Sequence, residues 1–168
     1  AADSSLPAMV ERYLAAFGPA TVGDMQAWSG LSGLRPTVDA MRPALRVFQD
    51  ERGRELFDLP DAPRPDADLS APPRFLPDYD NALLGHADRR RIFADEHRRR
   101  VGIGRATLLV DGFVRGTWTV ARRGAAARLR IEPFTPLPNH DRAAVHAEGE
   151  RLLAFLAADA SDRDIEIA

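Results

Sequence analysis

Residues 60 to 73 carry five prolines, Pro60, Pro63, Pro65, Pro72 and Pro73, among three aspartates. Proline has no amide hydrogen for a helix interior or a central strand, so neither element can run through this stretch. It predicts an extended, semi-rigid linker over 61–73 that separates a module over 1–60 from a second over 74–168. The 168 residues suffice for two small domains, and 45% apolar residues supply their cores.

Ahead of the linker, Leu6, Val10, Leu14 and Phe17 repeat at helical spacing, and Gly18-Pro19 ends that helix. Thr21 with Asp24 three residues on is a variant capping box for a second helix, with Val22, Met25 and Trp28 on one face. Leu34, Val38, Met41 and Leu45 predict a third, which Pro43 should end or kink. Val47 to Gln49, the Asp50–Arg54 turn and Leu56 to Leu59 then read as a two-stranded hairpin. Three short helices followed by a hairpin predict a winged helix.

Beyond the linker, Asp80 to Ala87 predicts a short helix and Asp95 to Val101 a further turn or two. Three consecutive strands follow over Ala106–Val110, Phe113–Ala121 and Ala127–Pro133, the first two joined at Asp111-Gly112, a strong type I′ turn signal. A helix running to about Ala158 and a final strand through Ile165 and Ile167 complete the module. The fold class is therefore α+β: a winged helix followed by a small antiparallel β-barrel-like module with a C-terminal helix.

The net charge of -2 hides an asymmetry. Residues 74–130 hold 13 Arg against 6 acids, whereas 131–168 hold 3 against 8 and 1–60 hold 6 against 8. One strongly basic stretch lies between acidic neighbours and can present a positive face to a polyanion. All 23 lysine-class positions are arginine, which GC-rich codon usage explains, so arginine content alone does not argue for DNA. The absence of cysteine removes disulfides and thiolate metal sites and is compatible with a reducing cytoplasm. No apolar run approaches the roughly 20 residues of a membrane-spanning helix.

The best candidates for nucleic-acid contact lie in the second module. If Val114, Trp118 and Val120 face the core, the period of two sends Arg115, Thr117 and Thr119 to the opposite face. With Leu129 and Ile131 inward, Arg128 and Arg130 face outward, and the turn carries Arg122-Arg123-Gly124. Arg115, Arg122, Arg123, Arg128 and Arg130 thus converge on one hairpin, with nothing acidic on the same strands to neutralise them: either a phosphate-binding surface or a solvated outer sheet face. One or two of the triplets Arg89–Arg91 and Arg98–Arg100, Arg89 among them, extend the candidate surface, as do Arg42, Arg46 and Arg52 if the third helix and wing meet DNA. The first module is net acidic and Pro43 disturbs that helix, so a supporting role for it stays open. Asp78, Asp80, Asp88, His86, Glu96 and His97 match no metal-ligand spacing, and no metal or cofactor is expected.

The segment Arg74-Phe-Leu-Pro-Asp-Tyr-Asp-Asn-Ala-Leu-Leu-Gly-His-Ala-Asp-Arg-Arg-Arg91, followed by Leu108-Leu-Val-Asp-Gly-Phe-Val-Arg-Gly-Thr-Trp118, resembles the C-terminal half of a bacterial winged-helix family. That family includes DNA glycosylases that unhook alkylated bases and interstrand crosslinks. The likeness reaches back to Arg12-Tyr-Leu-Ala-Ala-Phe-Gly-Pro-Ala-Thr-Val22 and Trp28-Ser-Gly30, and Pro77-Asp-Tyr-Asp80, Gly85, Asp88-Arg89 and Asp111-Gly112 fall in the family's order. The resemblance implies a concave DNA-binding scaffold, metal-free cleavage of N-glycosidic bonds and a catalytic Gln-x-Gln or Gln-x-Asp motif in an earlier winged helix. This chain has only Gln26 and Gln49, and neither starts such a motif, so no catalytic residue is carried over. The start at Ala1-Ala2, directly before a helix, reads as the beginning of a fragment.

The resulting expectation is a DNA-binding C-terminal fragment of a repair-glycosylase relative, monomeric, cytoplasmic and nucleoid-associated, with double-stranded DNA as partner. A winged-helix transcription regulator and a protein-interaction scaffold are the alternatives.

Overall fold

The computed structural model describes residues 5–66, 68–102 and 104–168; the first four residues of the predicted first module, one linker position and Ile103 lie outside it. Two compact units emerge. One comprises the described residues up to 66 together with Asn81–Arg89, the other Asp68–Asp80 with Arg90–Ala168.

In the first unit, α1 (Leu6–Phe17) starts at Ser5, whose hydroxyl accepts the Ala8 amide at 3.4 Å. The capping box at α2 (Val22–Ser29) forms reciprocally: Asp24 N donates to Thr21 Oγ1 at 3.1 Å and Thr21 N donates to Asp24 Oδ2 at 2.9 Å. α3 (Arg35–Met41) stops where Pro43 lacks an amide, and the chain tightens into a 3-10 turn over Arg42–Ala44. β1 (Arg46–Gln49) and β2 (Glu55–Asp58) then pair antiparallel from Arg46↔Asp58 to Gln49↔Glu55. Val10, Tyr13, Leu14, Met25, Val38 and Phe57 close the core between them.

Asn81–Arg89, placed by its sequence in the second module, packs within this first unit. The reason lies in four polar links. Tyr13 Oη donates to Gly85 O at 2.5 Å, Ala87 N to Asp24 Oδ1 at 2.9 Å and Trp28 Nε1 to Asn81 Oδ1 at 3.3 Å, while His86 Nε2 sits 3.0 Å from Phe17 O. Gly85 is required here: a Cβ would lie 2.7 Å from Phe17 Cδ1 and 3.0 Å from Asn81 O. The helical part of the segment, α4 (Asn81–Leu84), is a single turn.

The second unit is one five-stranded sheet in the order β3-β4-β5-β6-β7. β4 (Thr107–Val110), β5 (Phe113–Arg123) and β6 (Ala126–Pro133) form an antiparallel meander, turned at Asp111 (φ 51°) and Gly112 (φ 76°) as a type I′ signal demands. β3 (Arg74–Leu76) pairs with β4 at one edge. At the other, β7 (Asp162–Ile167) lies parallel to β6, which requires the crossover supplied by α5 (Asn139–Leu156). Val145, Gly149 and Leu153 of α5 are buried, and with Leu108, Leu129 and Ile131 of the sheet make the core. Gly149 admits the close approach: a Cβ there would meet Leu129 Cδ2 at 3.0 Å and Ile165 Cδ1 at 3.2 Å.

Two expectations are corrected. The sheet is not a barrel, because closure needs its first and last strands to pair, and β3 and β7 are its two edges. The pairing also shifts from Leu108↔Gly116 to Leu109↔Val114, leaving Arg115 as a bulge. Leu108 and Val110 face the α5 core, so Leu109 and its partner Val114 take the other face, where Val114 N donates to Ile92 O at 2.8 Å. Val114 therefore does not join Trp118 and Val120 against α5.

Candidate nucleic-acid interface

The β5–β6 ladder runs unbroken from Gly116↔Pro133 to Arg123↔Ala126 and turns at Gly124 (φ 59°). It brings Arg122, Arg123, Arg128 and Arg130 to one hairpin, all exposed. Their environment differs from the expected one. Arg122 Nη2 lies 2.6 Å from both carboxylate oxygens of Asp159, Arg128 Nε 3.0 Å from Asp164 Oδ2 and Arg130 Nε 3.0 Å from Glu132 Oε1.

The hairpin is thus not the uncompensated patch that the sequence suggested. Glu132 shares the outward face of β6 with Arg128 and Arg130, and β7 places Asp164 opposite Arg128 and Glu166 opposite Arg130. Arg122 follows the parity of Trp118 and Val120 and so leans to the α5 side, where Asp159 follows the helix. The hydrogen bond from Arg122 holds the Asp159 carboxyl below its ordinary value. Arg123, at the tip, has no carboxylate partner among the described residues.

In the first unit, Arg42 Nη2 bonds Glu55 Oε1 at 2.5 Å, and that bond holds the Glu55 carboxyl below its ordinary value. Arg35 reaches the same carboxylate at 3.4 Å. Arg46 is exposed on β1 with its guanidinium 5.8 Å from the Phe48 ring, and Arg52 is exposed in the turn. Arg89 opens a 3-10 turn, Arg89–Arg91, and is half-buried. The structure therefore gathers Arg122, Arg123, Arg128 and Arg130 on one hairpin of the second unit, whereas Arg42, Arg46, Arg52 and Arg89 belong to the first unit.

The overlooked residues are the acids. Alternation in Asp162, Asp164 and Glu166 marks them as the outward face of β7, but only the parallel pairing with β6 shows which arginines they meet. A cavity of about 270 Å³ adjoins the outer face, lined by Asp78, Arg105, Thr117, Thr119, Arg130 and Glu132 among others. Two carboxylates and two arginines balance its charge. Gln26 is structurally engaged, its Oε1 accepting the Leu34 amide at 3.1 Å. Among the described residues no helix is long and apolar enough to cross a membrane.

This fold and the signature segments coincide with one family. The profile described as "DNA glycosylase AlkZ-like" matches residues 1–155, and the chain belongs to that family. An interstrand DNA cross-link repair glycosylase of Streptomyces sahachiroi is 26% identical over 162 residues, covering 86% of this chain and 40% of the relative. The solved structure of the Streptomyces sahachiroi DNA glycosylase AlkZ is similar at a TM-score of 0.76 and 26% identity, covering 97% of this chain and 45% of that one. The chain spans less than half the length of these relatives.

Proposed function

We propose that this chain is a DNA-contacting part of a DNA-repair glycosylase, holding the phosphate backbone of duplex DNA with the β5–β6 hairpin. The observation that carries this reading is the family match over residues 1–155. Arg123 and Arg122 at the hairpin end make the first contacts, with Arg115, Arg128 and Arg130 along the strands. Exposed ion pairs such as Arg122–Asp159 contribute little net stability, so a polyphosphate that offers bidentate acceptors competes with the carboxylate.

The first unit, with α1, α2 and α3 followed by the β1–β2 hairpin, is read as a winged helix preceding the sheet unit. In this reading Arg42, Arg46, Arg52 and Arg89 are accessory contacts, and the chain acts as a monomer in the cytoplasm, associated with the nucleoid. The sequence offers no catalytic glutamine motif, so cleavage of the glycosidic bond is assigned to a part of the protein outside this chain. A gel-shift comparison of the chain with an Arg122→Ala/Arg123→Ala variant on a 20-base-pair duplex tests the reading. Each lost phosphate contact should weaken binding several-fold, to about 10-fold or more for the pair. Unchanged binding by the variant would remove the hairpin from the interface.

A further inference from the structure

We propose a second phosphodiester-binding site on the sheet unit, formed by Arg98, Arg99 and Arg100 together with the bulge residue Arg115. The proposal rests on the DNA-binding reading above and joins Arg115 of that reading to a cluster, Arg98–Arg100, that the hairpin does not include.

Arg122, Arg128 and Arg130 each have a carboxylate within 3.0 Å, whereas Arg98, Arg99, Arg100 and Arg115 are exposed and have no carboxylate partner among the described residues. The acids of the same segment, Asp95 and Glu96, sit one turn earlier, and Glu96 Oε1 lies 3.5 Å from His97 Nε2. Positive charge without a neighbouring carboxylate is therefore present here, as at Arg123, and not at Arg122, Arg128 or Arg130.

The cluster is also preorganised. The Arg100 guanidinium lies 4.4 Å from the centroid of the Phe134 ring, and its Nη1 donates to Phe134 O at 3.3 Å. Phe134 is pinned in turn: its amide donates to Arg115 O at 2.7 Å, and the His97 ring stands 4.5 Å away. The loop itself is tied down by Arg100 N and Val101 N, which both donate to His97 O, and by the buried Val101 side chain. A guanidinium has five N–H donors, so a stacked Arg100 with one bond to a carbonyl keeps an edge for a phosphate at reduced entropic cost. Arg115 is held similarly, 5.7 Å from the Phe113 ring centroid.

Geometry separates this site from the hairpin end. Arg115 and Arg122 are on the same strand, and seven residues at the strand rise correspond to about 23 Å. That exceeds twice the roughly 8 Å screening length at physiological salt, so each site responds to its own substitutions. It also matches about seven nucleotides of one DNA strand. The ligand class is thus a continuous phosphodiester backbone long enough to reach both.

The test is binding of a fluorescent 20-base-pair duplex to the chain across a salt series, with Arg98→Ala/Arg99→Ala and Arg122→Ala/Arg123→Ala variants. Arg98 and Arg99 are exposed, so their removal leaves the Arg100–Phe134 stack in place, and a urea melt confirms folding. Each phosphate contact contributes about 0.9 to the slope of log affinity against log salt. The first variant should flatten the slope by about 1 to 2 and weaken binding about 10-fold or more. If only the hairpin variant flattens it, this inference falls and the hairpin reading stands. If only the Arg98/Arg99 variant does, the inference stands and the hairpin reading falls. A parent chain that fails to bind with salt dependence overturns both.

Discussion

Tyr13 in α1 donates its hydroxyl to the carbonyl of Gly85, 72 positions later in the sequence, at 2.5 Å, and both residues are buried. The bond explains why the family-like segment around Gly85 belongs with the first three helices. Tyr13→Phe keeps the ring packing against Phe17 and Trp28 but leaves a buried carbonyl without this donor. It should cost about 1–3 kcal/mol in urea unfolding. An unchanged midpoint would show that the hydroxyl does not hold the segment.

Asp24 makes the same junction sensitive to acid. Burial pushes its carboxyl up, but hydrogen bonds from the Thr21 hydroxyl, the Thr21 amide and the Ala87 amide, with His86 nearby, together hold it below its ordinary value. A carboxyl depressed in the folded state contributes stability that is present above the unfolded value, about pH 4, and is lost as pH falls through the folded value. Asp24→Asn places an amide where donors converge, so it should be less stable at pH 7 and show a shallower loss below pH 4. Thermal melts from pH 7 to pH 2 decide it; parallel curves for the two proteins would contradict the assignment.

Thr107 on β4 is fully buried, and its hydroxyl has no hydrogen-bond partner among the described residues. Valine has nearly the same shape, suits a strand and carries no orphaned oxygen. Thr107→Val should therefore stabilise the sheet unit by about 1 kcal/mol in denaturant unfolding. Destabilisation would mean that the hydroxyl is satisfied in solution.

Removing a competing carboxylate should strengthen DNA binding. Asp159→Asn releases Arg122 from its closest acid and raises the local charge by one. Under the hairpin reading, duplex affinity rises several-fold at low salt and the salt slope steepens by up to about 1, with little change in stability. Unaltered affinity would indicate that Arg122 stays away from the phosphates.

Local patterns in the sequence identified the elements but not all their partners. The capping box at Thr21–Asp24, the stop at Pro43, the Asp111-Gly112 turn and the alternation along β6 each act over a few residues, and each appears in the structure. The misplaced segment 81–89 depends on Tyr13 and Asp24, which lie more than sixty positions away. Likewise, two of the acids that neutralise the hairpin, Asp159 and Asp164, arrive through α5 and the parallel strand β7, whereas Glu132 sits beside Arg130 on β6 itself. The bulge at Arg115 redirects Val114, and its only local signal is the neighbouring Gly116, an isolated glycine inside the strand. The Arg130–Glu132 pair is encoded by its spacing of two along a strand, but non-local pairing decides the partners of Arg122 and Arg128, and no residue spacing encodes those directly.

The central claim, that this chain meets duplex DNA through arginines of its sheet unit, is tested most directly by backbone amide NMR of the labelled chain during titration with an unlabelled duplex. Shift changes should concentrate at residues 98–101, 113–116 and 121–125 and disappear on addition of salt. Changes confined to α3 and the β1–β2 turn, or none at low salt, would contradict it.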